Sequence, residues 1–385
     1  MVVSELDLSK FKEQIKQMAL DLGADLVGVG SQERLKDAPP SGSMSYSLPG
    51  AQSCIIWVYG NPIEAIEDYF SKKDRMGAKL LKWTAYTNAW KHAQKIVEFI
   101  EKNSEYKAFP VIPNYMYRKV DGKPFNYVQQ NMGYPDFSLR YGAVAAGLGH
   151  LGWSGSVITK EFGGCCYLGG VLTTAPLEPD PMAKEYHCDR CKLCVKACTA
   201  GFFHPTKEDD AYPVVIGGYK QTTGKREAIG RCGFTCMGVI GESEDGKWGT
   251  WAAQHICTKN DPDEVWLDPK HRMMMWKKVF DDESTPLKLR KHSKKILQSF
   301  QEGGMAENVA YTTLEDMNPR CGNCSYVCAA DPKKKTELYK MLTTSGKVYV
   351  DDEGREYVEQ INKKGEKIVF YPPSQKESKY TKDCS

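Results

Sequence analysis

Apolar residues at Phe11, Ile15, Met18 and Leu22 recur at helical spacing, and Gly23 behind them can close a helix. Leu26 to Val29 then reads as a strand, and after the turn at Leu48-Pro49-Gly50 a second apolar run extends from Ile55 to Tyr59. From about Lys79 to Lys102 the spacing of Leu80, Trp83, Trp90, Ile96 and Ile100 predicts a long amphipathic helix, with a strand to follow over Ala108 to Ile112. A stretch rich in tyrosine and asparagine, Asn114 to Tyr141, leads into a helix through Ala146. Helices and strands alternate through this half, which predicts an α/β (α+β) domain over residues 1–185.

The second half changes character. Residues 186–330 begin and end in cysteine clusters, and the insert between them, at about 200–320, carries Trp248, Trp251, Trp266 and Trp276. It is expected to be helical and irregular. Residues 331–385 mix both charge signs and read as a small appendage or partly mobile cap; no internal repeat is present.

With 41% hydrophobic residues, a chain of 385 residues can build two or three real cores. Its net charge of +3, from 52 basic and 49 acidic residues, creates no strong field, so nucleic acid is not expected as a partner. The opening Met-Val-Val-Ser-Glu-Leu-Asp has no basic region followed by an apolar stretch, and no apolar run is long enough to span a bilayer. A cytoplasmic location is therefore expected. There, thiols stay reduced, so the 14 cysteines are read as metal ligands rather than disulfides.

Cys188, Cys191, Cys194 and Cys198 have the spacing C-x2-C-x2-C-x3-C. Three thiolates on so tight a loop reach three corners of one 4Fe-4S cubane, while the fourth points to a second cluster, and a return motif is then required. Cys321, Cys324 and Cys328 supply it. Four and three ligands make seven, one short of the eight that two cubanes need. Cys232, Cys236 and Cys257 are the candidates for the eighth, and Cys232 is favoured. Cys188, Cys191, Cys194 and Cys328 are then assigned to one cluster, and Cys198, Cys232, Cys321 and Cys324 to the other. Structural zinc sites use two separated pairs and have no need of such a crossed loop.

Two clusters form a short electron wire, which implies a redox centre in the larger domain. No G-x-G-x-x-G follows a strand and there is no P-loop lysine, so a flavin or a corrinoid remains open. Ahead of the cysteines stands Gly147-Leu148-Gly149-His150-Leu151-Gly152-Trp153-Ser154-Gly155, whose glycines let backbone approach something flat or bulky.

The order of features resembles the corrinoid and iron-sulfur reductase family that includes reductive dehalogenases and epoxyqueuosine reductase. The resemblance covers most of residues 8–330 and rests on Leu22-Gly23-Ala24-Asp25, on Leu48-Pro49-Gly50-Ala51, on the glycine block, and on Ile158-Thr159-Lys160-Glu161-Phe162-Gly163. It implies a nitroreductase-like, cobalamin-binding domain followed by a bacterial-ferredoxin-like domain with two 4Fe-4S clusters. Gly147, Leu148, Gly149, His150, Gly152, Trp153, Ser154, Gly155 and Ile158 would hold a base-off cobalamin, with His150 in a buried or solvated role rather than as a cobalt ligand.

Reductive cleavage needs a proton donor, and Tyr115, Tyr117, Asp136 and Tyr141 are the candidates ahead of the glycine block. The reading is a cobalamin-dependent iron-sulfur reductase, closest to a reductive dehalogenase. It would act on a small organic molecule and take electrons from a low-potential donor such as ferredoxin or flavodoxin. The alternatives are an epoxyqueuosine reductase-like tRNA modification enzyme and an electron-transfer protein that reactivates a corrinoid protein.

Overall fold

The computed structural model describes residues 6–111, 135–203, 211–225, 229–236, 238–256, 268–283 and 321–381, with further positions at 113, 265–266, 285, 287, 290–291 and 294. Helix α1 (Leu8–Asp21) starts on Asp7, whose carboxylate accepts from the Ser9 and Lys10 amides, and ends ahead of Gly23 in the left-handed region. Strands β1 (Leu26–Ser31) and β2 (Ser53–Gly60) follow, then helices α2 (Ile63–Phe70) and α3 (Met76–Asn103) and strand β3 (Ala108–Val111).

Helix α4 (Leu139–Ala145) precedes a short hairpin of β4 (His150–Leu151) and β5 (Val157–Ile158), and β6 (Cys166–Thr173) completes the sheet. Its order is β1-β2-β6-β3, and every neighbouring pair is antiparallel. Alternation along the chain suggested α/β; the sheet makes the domain α+β, because crossing helices return the chain in the opposite sense.

Strand β2 is buried on both faces, which is why its apolar run is continuous rather than alternating. Ile55, Trp57 and Tyr59 pack into the core shared with α1 and α3, whereas Cys54 and Ile56 pack with Ala143 and Val144 of α4. Three layers result. Between the first two, the Trp57 indole donates to Tyr59 Oη at 2.9 Å, and Tyr59 Oη meets His92 Nδ1 of α3 at 2.7 Å.

The insert departs from expectation. Alongside helices α6 (Ile229–Cys236) and α7 (Pro269–Asp281), which follow the short α5 (Leu193–Lys196), it holds a hairpin of β7 (Ala211–Ile216) and β8 (Tyr219–Gly224). Gly217 and Gly218 turn it with φ of 59° and 79°, a two-residue loop that only glycine adopts freely. Residues 331–381 form a folded unit. After α8 (Asn323–Tyr326), helix α9 (Pro332–Thr344) packs against α2 and α5 and leads into the antiparallel strands β9 (Lys347–Val350), β10 (Glu356–Ile361) and β11 (Lys367–Phe370). Leu338, Leu342, Val348 and Val358 join Tyr69 and Trp251 in one core. Among the described residues no helix is long and apolar enough to cross a membrane.

Candidate metal centre and adjoining cavity

Arg190 and Lys192 both take left-handed backbone, at φ of 53° and 57°, a conformation that costs a non-glycine residue roughly 1–2 kcal/mol. The Asp189 carboxylate accepts from the Cys191 amide at 3.2 Å and helps hold the coil. Its effect is to turn Cys188, Cys191 and Cys194 toward one side, where they line a cavity together with Cys328, Trp153, Ile158 and Lys335. Cys328 is 134 residues from Cys194 and arrives by docking: the Gly164 amide donates to the Cys328 carbonyl at 2.6 Å, and Ser325 Oγ donates to the Gly164 carbonyl at 2.6 Å. Gly163 stands at φ 60°, and a Cβ there would overlap that same carbonyl. Trp153 N–H points at Cys188 Sγ, 3.4 Å away.

A second group gathers next to the first. The i, i+4 spacing on α6 puts Cys232 and Cys236 on one face with sulfurs 4.0 Å apart. Cys321 lies within hydrogen-bonding reach of Cys236, and Cys198 and Cys324 lie close enough to act on it electrostatically. Five thiols thus converge where four were expected, and Cys257 lies outside the described residues.

Burial pushes the Cys328 thiol up to about 11 and Cys324 up to about 12, so both keep their protons at neutral pH until a metal ion displaces them. No three of His, Cys, Asp or Glu among the described residues are placed to hold a single ion. The first group instead rings a cavity. Four thiols around one void, with a backbone amide aimed at a sulfur, fit an iron-sulfur cluster.

Cys321 and Cys324 also form part of the wall of a cavity of about 420 Å³, lined elsewhere by Lys82 and Tyr86 of α3, Phe137, Ser138 and Arg140 at the start of α4, and Cys166 and Tyr167 of β6. Tyr167 Oη and Tyr326 Oη are 2.6 Å apart, and the Tyr86 ring sits 5.5 Å from that of Tyr167. Lys82 Nζ stands 5.9 Å above the Tyr86 ring. Burial drives the Tyr326 phenol to about 12 and that of Tyr167 well above its ordinary value, so both keep their protons at neutral pH. The wall offers hydroxyls, a cation and backbone polar groups to a ligand large enough to fill it.

The residues singled out from the sequence fall in different places. Tyr115 and Tyr117 lie outside the described residues. Asp136 is half-buried between Pro135 and Phe137, both of which line the cavity. Tyr141 is buried in the core beneath α4. Of the residues expected to hold the cobalamin, Gly147, Leu148 and Gly149 edge a separate surface groove beside Lys160 and Lys184, whereas Trp153, Ser154 and Ile158 line the first cysteine cavity. His150 is buried in the hairpin against Tyr186. A Cβ on Gly149 would overlap the Ile158 carbonyl, so that glycine serves packing of the chain on itself. Gly155 accepts from Arg140 Nη1 at 2.8 Å through its carbonyl, and Arg140 lines the large cavity. Sequence reasoning missed Lys82, Tyr86, Tyr326 and Lys335. Lys82 and Tyr86 share a face of α3 by their i, i+4 spacing, but Tyr167 and Tyr326 have no local signal linking them.

No family model matches the chain. Short segments are similar to epoxyqueuosine reductases: that of Listeria monocytogenes is 44% identical over 59 residues, 15% of either chain. Those of Gloeobacter violaceus and Prochlorococcus marinus are 41% identical over 68 residues and 36% over 78, covering 17% and 20% of this chain. The matched segments span 15%, 21% and 22% of these relatives' lengths. Among solved structures, a catabolic reductive dehalogenase covers 71% of this chain at 15% identity and TM-score 0.44, with 36% of its own length matched. An epoxyqueuosine reductase with a tRNA-Tyr stem loop covers 87% at 15% identity and TM-score 0.40, with 99% of its own length matched.

The curated relatives overturn two expectations. They are named epoxyqueuosine reductase and not dehalogenase, which corrects the reading of a dehalogenase-like enzyme on a small organic molecule and the exclusion of a nucleic acid partner. The near-balanced charge that supported the exclusion is a whole-chain sum and says nothing about one surface. The resemblance first drawn from the motifs, to the corrinoid and iron-sulfur reductase family that includes reductive dehalogenases and epoxyqueuosine reductase, is matched by these relatives.

Proposed function

We propose that this chain is an epoxyqueuosine reductase-like oxidoreductase that acts on a modified nucleoside within tRNA. The observation that carries the reading is the continuity of the site: Cys194 of the first thiol group neighbours Cys324 of the second, and Cys324 is itself part of the wall of the tyrosine-lined cavity.

Cys188, Cys191, Cys194 and Cys328 would hold one 4Fe-4S cluster, and Cys198, Cys232, Cys321 and Cys324 the other, with Cys236 the competing ligand. The cavity between α3, α4 and β6 would take the corrinoid and the nucleoside. When bound, the clusters supply single electrons and the corrinoid a strongly reducing centre. The chain's own contribution is to exclude water, orient the substrate and hold a proton. Tyr167 and Tyr326, both on the cavity wall, hold protons on paired phenol oxygens, so a proton given up by one is replaced by the other. Asp136, between two cavity-lining residues, is the second candidate acid. Lys82 supplies a fixed positive charge facing the same space.

The test is anaerobic incubation of the reconstituted protein, with cobalamin and a low-potential reductant, on tRNA carrying epoxyqueuosine, followed by mass spectrometry of the digested nucleosides. Conversion to queuosine supports the reading. A protein that carries iron and cobalamin, binds tRNA no better in low salt than in high salt, and leaves the epoxide intact overturns it.

A further inference from the structure

The run Lys333-Lys334-Lys335 opens helix α9 of the C-terminal unit, and its three members face different surroundings. Lys333 is exposed, and Lys334 pairs with Glu67 and Glu337 at 2.9 and 2.6 Å. Lys335 points inward: its side chain is only 4% exposed, and it forms part of the wall of the cavity bounded by Cys188, Cys191, Cys194 and Cys328. Nζ lies 3.2 Å from Asp189 Oδ2, and the Asp189 side chain is 43% exposed. The two charges are therefore unequally screened. Water weakens the field of the carboxylate, whereas the ammonium acts through protein, where a charge is felt several times more strongly.

We propose that Lys335 is the counter-charge of the first cluster, a residue of the C-terminal unit that raises the potential at which that cluster accepts an electron. This rests on the assignment of a cluster to those four thiols. Each electron added makes a thiolate-bound cubane more negative, so a buried cation beside it favours the reduced form, and net charge and solvent exposure are among the terms that set cluster potentials. Burying a lysine beside four thiols is otherwise costly, because a half-exposed carboxylate compensates it only in part. The assignment also gives helix α9 a part in the redox site. Lys192 lines the same cavity but is only partly buried, with Nζ 4.6 Å over the Trp153 ring, and should matter less.

The experiment is a redox titration of the reconstituted full chain, followed by electron paramagnetic resonance, with iron content measured on the same samples. Wild-type protein without a cluster signal would sink the cluster assignment itself. Given that signal, Lys335→Gln is expected to shift the first cluster's midpoint to lower potential by about tenfold in the reduction equilibrium, 59 mV for one electron. Lys335→Arg should stay near wild type. Asp189→Asn should move the midpoint upward, and Lys192→Gln should move it downward by less than Lys335→Gln. An unchanged midpoint in Lys335→Gln with full iron content overturns the proposal. So does loss of the first cluster from both Lys335→Gln and Asp189→Asn, which would assign the pair to assembly instead.

Discussion

Tyr167 on β6 and Tyr326 on α8 lie 159 residues apart in the chain and share a 2.6 Å hydrogen bond between their phenol oxygens, joining the sheet domain to the second cysteine motif at the cavity wall. If that pair holds the transferred proton, Tyr167→Phe should lower the rate of substrate reduction about 100-fold while leaving iron content and the cluster signals unchanged. Asp136→Asn provides the comparison. A full loss there with near-normal Tyr167→Phe turnover, measured by nucleoside mass spectrometry under single-turnover conditions, would move the proton to Asp136.

Gly163 is the hinge on which the return cysteine motif docks. Gly163→Ala meets both a left-handed backbone and the Cys328 carbonyl, and should lower thermal stability by about 2–4 kcal/mol and the iron content with it. Gly354 has φ 77° but nothing within 4 Å of an added Cβ. Gly354→Ala should therefore cost only the backbone term, about 1 kcal/mol, with iron intact. Calorimetry and iron assay on the two variants separate strain from docking.

Five thiols compete for four positions in the second group. Cys232→Ser is expected to remove about four of the eight irons, and Cys236→Ser none. The opposite result in iron analysis would exchange the two roles without altering the fold, because both residues lie on one face of α6.

Lys72 is fully buried at the end of α2, where Nζ donates to the Gly249 carbonyl at 2.7 Å and to Ser345 Oγ at 2.9 Å. Burial lowers its pKa to about 7 from an ordinary value of 10.5. Between those values the unfolded chain binds a proton that the folded chain does not, so this group makes stability rise with pH across the window and contributes no slope below it. In denaturant titrations, Lys72→Met should flatten the stability-pH curve between pH 7 and 10 by about 1.4 kcal/mol per pH unit relative to wild type. Identical slopes in the two proteins would mean that Lys72 stays charged when folded.

Local patterns carried the elements of the first domain. Phe11, Ile15 and Met18 marked α1, the apolar run at Ile55 to Tyr59 marked β2, and the spacing from Leu80 to Ile100 marked α3, because periodicity reports which face a segment buries. The β7–β8 hairpin was legible too, in Gly217-Gly218 between two runs rich in β-branched residues and tyrosine, but the expectation of a helical insert passed over it.

The cysteine spacings likewise carried the turning of Cys188, Cys191 and Cys194 toward one cavity, since a C-x2-C-x2-C loop brings three thiols to one side and finds its fourth elsewhere. Spacing could not reveal that Cys232 and Cys236 arrive together, that Gly147 and Gly149 are set by the close approach of Pro181 and Ile158, or that Lys335 and Asp189 meet across 146 residues. Those relations depend on where α6, α9 and the turn at Gly163 dock. Docking is decided by the burial of surfaces from distant segments, about which a local pattern carries no information.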